Sequence, residues 1–429
     1  MAKLQDLKAR IQSGAADALF DKIYGEGAKE GQAARWCALL DSFAEKFGQA
    51  GDVYLFSTSG RTEIGGNHTD HNHGRVLAAG ISLDTIAVVA PTDDGVITAY
   101  SEGYPGSFKV DTADTSLKEY EKGTTTALFR GMAARFKGTG MQVGGFNATI
   151  ASNVLRGSGL SSSAAFEVLI ATILDHLYNG GDMDGAKRAI YAQWVENNYF
   201  GKPCGLMDQM ACSIAGMTAI DFADPANPVV DQVHFDFSKA GYKLVVVDTG
   251  GDHGDLTDAY ASIPVEMKQV AMQFGKAVLR DVDEAEFYQA LPRLKGKVPD
   301  RAILRAMHFF GDNARVAQQV QALNEGDFAA FLQMIKDSGN SSWTLLQNCF
   351  MPGNTQPITL GLAVSAHILA DKGGAWRVHG GGFAGTIQAF VPDAMVETYV
   401  NTLNSIFGPK ACTALNIRPV GSMRVDDQF

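Results

Sequence analysis

A run of small polar residues, Gly157-Ser158-Gly159-Leu160-Ser161-Ser162-Ser163, stands directly before AAFEVLIATILDHLYNG, a segment of helical apolar spacing. Such a run suits a phosphate chain. Glycines let the backbone approach, successive N–H groups point inward, and a helix N-terminus adds favourable partial charge. Serine hydroxyls can donate to phosphate or ligate Mg²⁺. No lysine follows, so this is not the GxxxxGK[ST] loop. A dinucleotide fingerprint would need glycine at Ser162. Taken by itself, the run also fits a glycine turn with a serine N-cap.

Phosphoryl transfer to a hydroxyl needs a metal for the phosphates and a group that orients or deprotonates the acceptor. Asp208 sits among small and apolar residues in KPCGLMDQMACSIAG. A carboxylate there is partly desolvated and needs a partner, and Arg61 at the start of a glycine-rich stretch can supply one, lowering the Asp208 pKa. A helix cap or a structural ion pair is the other reading of Asp208. Glu196, twelve residues earlier, reads alone as a solvated surface residue. With Ser163 it can complete a Mg²⁺ site of one carboxylate, one hydroxyl, phosphate oxygens and water.

The segment Asn67-His68-Thr69-Asp70-His71-Asn72-His73 is dense in hydrogen-bonding side chains. The histidine spacing, without a helix or further ligands, is a poor metal site. It suits a polyol better, with Asp70 able to accept from two neighbouring hydroxyls.

These groups need a sizeable scaffold. The 429 residues, 46% hydrophobic and 19% charged, suffice for about two domains with ample core. The formal charge of -11 argues against nucleic acid or an anionic membrane as partner. Five scattered cysteines without a CxxC read as reduced thiols in a cytosol, and neither a signal peptide nor a membrane span is expected. Residues 1–49 read as helices. VYLFSTSG reads as a strand running into the loop GRTEIGGNHTDHNHG, followed by two strands around Asp93-Asp94-Gly95. Helices are expected over 124–136, after Ser163, over 184–199 and through most of 258–338, broken at Pro264, Pro292 and Pro299. GGFNATIASNVL, KLVVVDTGG and AWRVHGGGFAGTIQAFVP read as strands, the last with a glycine turn. Turn chemistry at Asp224–Val230 suggests a domain boundary. Interleaved elements make the class α+β or α/β.

In order and spacing, four segments resemble the galactokinase branch of the GHMP kinase superfamily: GRTEIGGNHTDHNHGRVLAAGI, RGSGLSSSAAFEVLIA, ENNYFGKPCGLMDQMACSIAG and VHGGGFAGTIQAFV. The resemblance runs from about residue 38 to the end. It implies an α+β fold of two domains: a ribosomal protein S5 domain 2-like unit over 37–226 and a ferredoxin-like unit over 227–429, with residues 1–36 as an added helical extension. It implies ATP and Mg²⁺ as cofactors, Asp208 and Arg61 as the catalytic pair, and nucleotide contacts from Gly157 through Ser163. It further implies Mg²⁺ on Ser163 and Glu196. The acceptor sugar would lie against Asn67, His68, Thr69, Asp70 and Gly205, with Gly380, Gly381 and Gly382 closing the cleft. The reaction implied is in-line transfer to a C1 hydroxyl. A cytoplasmic monomer or weak homo-oligomer, acting on a small-molecule sugar, is the expected setting.

The chain departs from that family on the acceptor side. Where the family reads EHTDY, this chain has Asn67-His68-Thr69-Asp70-His71, and PGRVNLIGE becomes SGRTEIGGN. Aligning SEYxxRR with the stretch around Ser262 puts Ile263 in place of a sugar-lining tyrosine. An amide at position 67 would tolerate a C6 carboxylate that a glutamate repels. The expected acceptor is therefore galactose or a relative such as galacturonate. A non-catalytic sugar sensor is a competing reading, as is a GHMP kinase for another small alcohol.

Overall fold

The computed structural model describes residues 2–48, 51–154, 159–233, 235–250, 257–351, 353–383 and 385–429. In chain order, β1 (Ala2–Lys3) leads into α1 (Leu4–Gln12), α2 (Asp17–Tyr24) and α3 (Lys29–Phe47). There follow β2 (Asp52–Gly65), β3 (Arg75–Thr92), β4 (Val96–Ser101), β5 (Phe108–Asp111), α4 (Thr125–Gly138) and β6 (Gly145–Ser152). Next come α5 (Ser162–Tyr178), α6 (Gly185–Val195), α7 (Met207–Ile214), β7 (Met217–Asp221), β8 (Val229–Val233) and β9 (Tyr242–Asp248). A helical stretch comprises α8 (Thr257–Met272), α9 (Glu284–Gln289), α10 (Leu291–Leu294), α11 (Asp300–Glu325), α12 (Phe328–Ser341) and α13 (Pro357–Leu369). The chain closes with β10 (Ala375–Val378), β11 (Thr386–Pro392), α14 (Val396–Phe407), β12 (Cys412–Leu415) and β13 (Met423–Arg424).

The strands form two sheets. The larger runs β1-β2-β3-β6-β4-β5, with β13 added on β2 and the β7/β8 hairpin added on β3. Its pairs are antiparallel except β4 with β6. The smaller runs β10-β11-β9-β12 and is wholly antiparallel. Numbered by appearance, its order is 4-1-3-2 on a β-α-β-β-α-β chain, the ferredoxin-like arrangement. The molecule is α+β.

One face of the larger sheet packs on α4, α5 and α6. Helix α5 is nearly all apolar, and Val168, Leu169, Ile170, Ile173 and Leu174 are fully buried with Phe56, Phe129 and Phe146. Each such side chain contributes about 1.5–3 kcal/mol. The opposite face is covered by α1–α3, where Leu7, Phe20, Trp36 and Leu40 meet Leu55, Val88 and Val425. The N-terminal helices therefore complete the sheet's core rather than append to it. A buried polar knot fixes them. Asp84 accepts from Tyr24 Oη (2.7 Å), Arg35 Nη1 (2.5 Å), Ser57 Oγ (2.5 Å) and Arg418 Nη1 (3.2 Å).

Three expectations need correction. Strand β2 continues to Gly65, so the stretch from Gly60 read as loop is ladder, and only 66–74 is loop. Pro264 lies inside α8 instead of breaking it. The proline forgoes one backbone hydrogen bond, and Ile263, Met267, Val270 and Ala271 hold the helix in its core regardless. The turn at Asp224–Val230 joins two strands of the larger sheet, so the chain passes to the smaller sheet only after Val233. It then returns through β13, so residues 227–429 serve both sheets.

Candidate active site

Strand β2 points Arg61 and Glu63, two residues apart, to one face. Both line a cleft of about 430 Å³ with His68, Asp70, Gly159, Lys202, Gly205, Asp208, Tyr260 and the Gly380–Gly382 turn. Arg61 and Asp208, 147 positions apart in sequence, meet here: Nε and Nη2 donate to Oδ1 at 2.8 and 2.7 Å. Arg61 Nη1 also donates to the Gly159 carbonyl, which ties the glycine-serine run to the same wall.

Asp208 stands in the first turn of α7, with its side chain 35% exposed at the cleft. Ser161 Oγ donates to its other oxygen. Burial pushes the Asp208 carboxyl upward, but the Arg61 charge with the Ser161 and Arg61 hydrogen bonds outweighs it and holds the group below the usual carboxylate range. Asp208 is thus an anion at neutral pH, with one acceptor site of Oδ2 still open.

The nucleotide residues divide. Gly157 and Ser158 lie outside the described residues. Leu160 is only 1% exposed and its side chain belongs to the core, so it offers backbone alone, its carbonyl accepting from the Arg61 N–H (3.2 Å). Ser161 holds the N-cap position of α5 in the left-handed region (φ 58°) without a side-chain capping bond, and Ser162 and Ser163 occupy the first helical turn, where unpaired N–H groups gather.

Glu196 is not the solvated surface residue its isolated position suggested. It is 2% exposed, at the start of a π-turn over Glu196–Phe200. Its Oε2 accepts from Gln209 Nε2 (2.7 Å), which leaves Oε1 3.4 Å from Ser163 Oγ and 3.4 Å from Lys202 Nζ. One hydroxyl and one carboxylate oxygen converging at the head of a helix fit a magnesium ion that keeps phosphate and water as its other ligands. Glu167, one turn along α5 from Ser163, is a second carboxylate that sequence reasoning missed. It is fully buried, takes a hydrogen bond from Gln209 (3.3 Å) on one oxygen and has no partner on the other. Burial and the neighbouring Glu196 charge raise its pKa well above the usual range. Among the described residues, no group of three or more His, Cys, Asp or Glu side chains forms a metal cage.

The acceptor residues rearrange most. Asn67 is fully buried and saturated: Nδ2 donates to Glu63 Oε1 (2.9 Å) and the Gly380 carbonyl (2.8 Å). Its Oδ1 accepts from Ser342 (3.1 Å) and Asn348 (2.9 Å). It has nothing left for a ligand and braces the cleft from behind. Thr69 is likewise internal, its single hydroxyl proton shared between the Gly66 (2.8 Å) and Arg75 (2.5 Å) carbonyls. His68 and Asp70 do line the cleft. Burial, with help from His71, lowers the His68 pKa to about 3, so the ring is neutral and donates from Nε2 to the Gly381 carbonyl (3.0 Å).

Ile263 is fully buried in the α8 core and does not line the cleft. Tyr260, one turn earlier, lines the cleft instead, together with Phe383, and its ring sits 5.1 Å from that of His68. Glu63 is a further residue missed by sequence reasoning. Its carboxylate pairs with the fully buried Arg377 (2.6 Å), yet burial raises its pKa to about 6. It was legible in principle, because strand spacing puts it beside Arg61.

Gly205 lines the cleft opposite Asp70, and a Cβ there would stand 2.1 Å from Asp70 Oδ2. Gly205→Ala must displace that carboxylate. The expected result is a KM for the acceptor raised about tenfold or more with nucleotide affinity unchanged, measured by steady-state kinetics with each substrate varied.

Residues 126–216 match the GHMP kinases N terminal domain. Residues 41–91 match the galactokinase galactose-binding signature. The structure superimposes on a galactokinase of Lactococcus lactis complexed with galactose, with TM-score 0.76 and 25% identity over 90% of this chain and 98% of that one. The chain thus carries a GHMP kinase N-terminal domain and a galactokinase galactose-binding signature on a galactokinase-like fold. The fold extends to more distant kinases: the Methanococcus jannaschii mevalonate kinase has TM-score 0.62 at 12% identity, covering 86% of this chain and 99% of that one. A D-glycero-D-manno-heptose 1-phosphate kinase from Bacteriodes thetaiotaomicron has TM-score 0.59 at 15% identity, covering 87% and 98%. The signature segment spans Arg61, Glu63, His68 and Asp70, and the N-terminal domain match spans Ser163, Glu196 and Asp208. No described helix is long and apolar enough to cross a membrane.

Proposed function

We propose that this GHMP kinase transfers the γ-phosphate of ATP to the C1 hydroxyl of a neutral aldose, with galactose as the leading acceptor. The observation that carries the reading is the Arg61–Asp208 pair, which sits between the serine-rich head of α5 and the wall made by His68 and Asp70. ATP would lie along the Gly159–Ser163 segment, with magnesium on Ser163 and Glu196. When bound, the ion neutralises phosphate charge and orients the chain of oxygens. Asp208, kept anionic by Arg61, accepts the hydrogen bond of the acceptor hydroxyl and receives or steers its proton. Arg61 offsets charge on the phosphoryl group in transit. His68, Asp70 and Tyr260 would hold the sugar. Most of the rate enhancement is then positioning and fixed electrostatics.

A uronate acceptor is disfavoured by the same geometry. The amide of Asn67, which would have accommodated a C6 carboxylate, is fully consumed, while Glu63, Asp70 and Asp208 all face the cleft. An anionic sugar would meet Asp70 in addition to Asp208 and Glu63, whose charges Arg61 and Arg377 already engage. A panel of sugars with ATP and Mg²⁺ tests this. We expect kcat/KM for galactose to exceed that for galacturonate by about a hundredfold, a difference of about 2.7 kcal/mol. Equal efficiency would overturn the neutral-sugar reading, and the absence of turnover on any sugar would overturn the kinase reading.

A further inference from the structure

Lys202 has no part in the reading above, yet it stands at the junction of the nucleotide and acceptor halves. Its backbone N–H donates to the Glu196 carbonyl (3.1 Å) at the close of the π-turn, so the two residues are tied together. Its Nζ lies 3.4 Å from Glu196 Oε1, the same oxygen that lies 3.4 Å from Ser163 Oγ. The side chain is 63% exposed where that of Glu196 is 3% exposed, and it lines the cleft beside Asp208. The ammonium therefore occupies the open coordination face of the carboxylate that would carry magnesium.

Two cations cannot share one carboxylate oxygen without repulsion, and the doubly charged ion is the stronger partner. We propose that Lys202 is a further catalytic residue. Metal loading displaces its ammonium from Glu196, and the freed group then contacts the phosphoryl group as it passes toward the acceptor held at Asp208. The inference rests on the kinase reading. Lysine forms no bond of its own. The bond from the γ-phosphorus to the ADP oxygen breaks, the bond to the sugar oxygen forms, and the hydroxyl proton leaves by way of Asp208 or solvent. Lys202 keeps its three protons throughout and contributes charge where charge moves. Its flexible stem, fixed only at the backbone, allows the transfer from one oxygen to the next.

The test uses the full chain with Lys202→Met and Lys202→Arg. Manganese titrated into nucleotide-free protein and followed by electron paramagnetic resonance should bind Lys202→Met about two- to fivefold more tightly than wild type, the value of an exposed ion pair. In turnover, kcat of Lys202→Met should fall about thirtyfold, with the sugar KM within twofold. Lys202→Arg should recover most of the rate. Unchanged or weaker manganese binding in Lys202→Met overturns the displacement, and unchanged kcat overturns the catalytic contact. Failure of wild type on every sugar would instead strike the kinase reading, because the metal titration does not depend on turnover.

Discussion

Asp208→Asn is expected to lower kcat by about a thousandfold, the range for losing a positioned proton acceptor, while ATP affinity stays within about twofold. The amide is isosteric and its oxygen can still accept from Arg61, so the wall of the cleft should hold its shape. What changes is charge. Arg61, 5% exposed, loses its anionic partner, and the acceptor hydroxyl loses the carboxylate that would take its proton. The nucleotide segment meets Asp208 chiefly through the Ser161 hydroxyl, which can reverse its donor role toward an amide. Steady-state kinetics and calorimetric ATP titration separate the two effects. A variant that loses nucleotide binding and rate together would show that Asp208 is structural.

The second large effect lies away from the cleft. Asp84→Ala should destabilise the fold by about 3–5 kcal/mol, the cost of leaving a buried charge unpaired. Asp84 and Arg418 are both fully buried, and Arg35 is half-buried at the same knot. Removing the carboxylate strands Arg418 and unfastens Tyr24, Arg35 and Ser57 at once, hence α2, α3, β2 and the C-terminal segment. Urea unfolding followed by circular dichroism gives the difference directly. Burial disfavours the Asp84 anion, but Arg35 and Arg418 outweigh that and hold its pKa below the ordinary value. The unfolded side chain titrates near ~3.9, so its stabilisation is complete above that pH and is lost as pH falls through the lower native value. Wild type should therefore lose stability on acidification below about pH 4, and Asp84→Ala should lack that component. A difference under about 1 kcal/mol at neutral pH, small for a buried pair, would show that the knot is dispensable.

Residue types read from sequence located the chemistry better than the geometry behind it. Arg61, Asp208, Ser163 and Glu196 could be nominated because their roles require particular groups near small residues. The polar stretch from Gly60 read as a loop because glycine and glutamate are poor strand residues, and that reading hid the two-residue spacing that sets Glu63 beside Arg61. Tertiary packing overrode the propensity. Ile263 and Tyr260 show a different failure. Ile263, Met267 and Val270 form the apolar stripe of α8, and Tyr260 sits where that stripe runs out of core into the cleft. Helical periodicity identifies the stripe but not where the core ends. Asn67 deceived for a third reason. A polar side chain within a polar motif invites a ligand, and only coordinates reveal that Glu63, Gly380, Ser342 and Asn348 have already used every donor and acceptor it owns. Glu167 was hidden inside an apolar helix, where nothing local marks one buried acid as the neighbour of another.

The pairing of β13 with β2 has a consequence for biosynthesis. Met423 and Arg424 ladder onto Ser57 and Phe56, and Val425 closes the pocket under α1–α3. The first sheet thus awaits a strand made roughly two hundred residues after its hairpin β7/β8, once the entire smaller sheet has left the ribosome. At about 5–20 residues per second, that delay is on the order of ten to forty seconds. During it, the edge of β2 stands open to whatever chaperone or nascent neighbour arrives first.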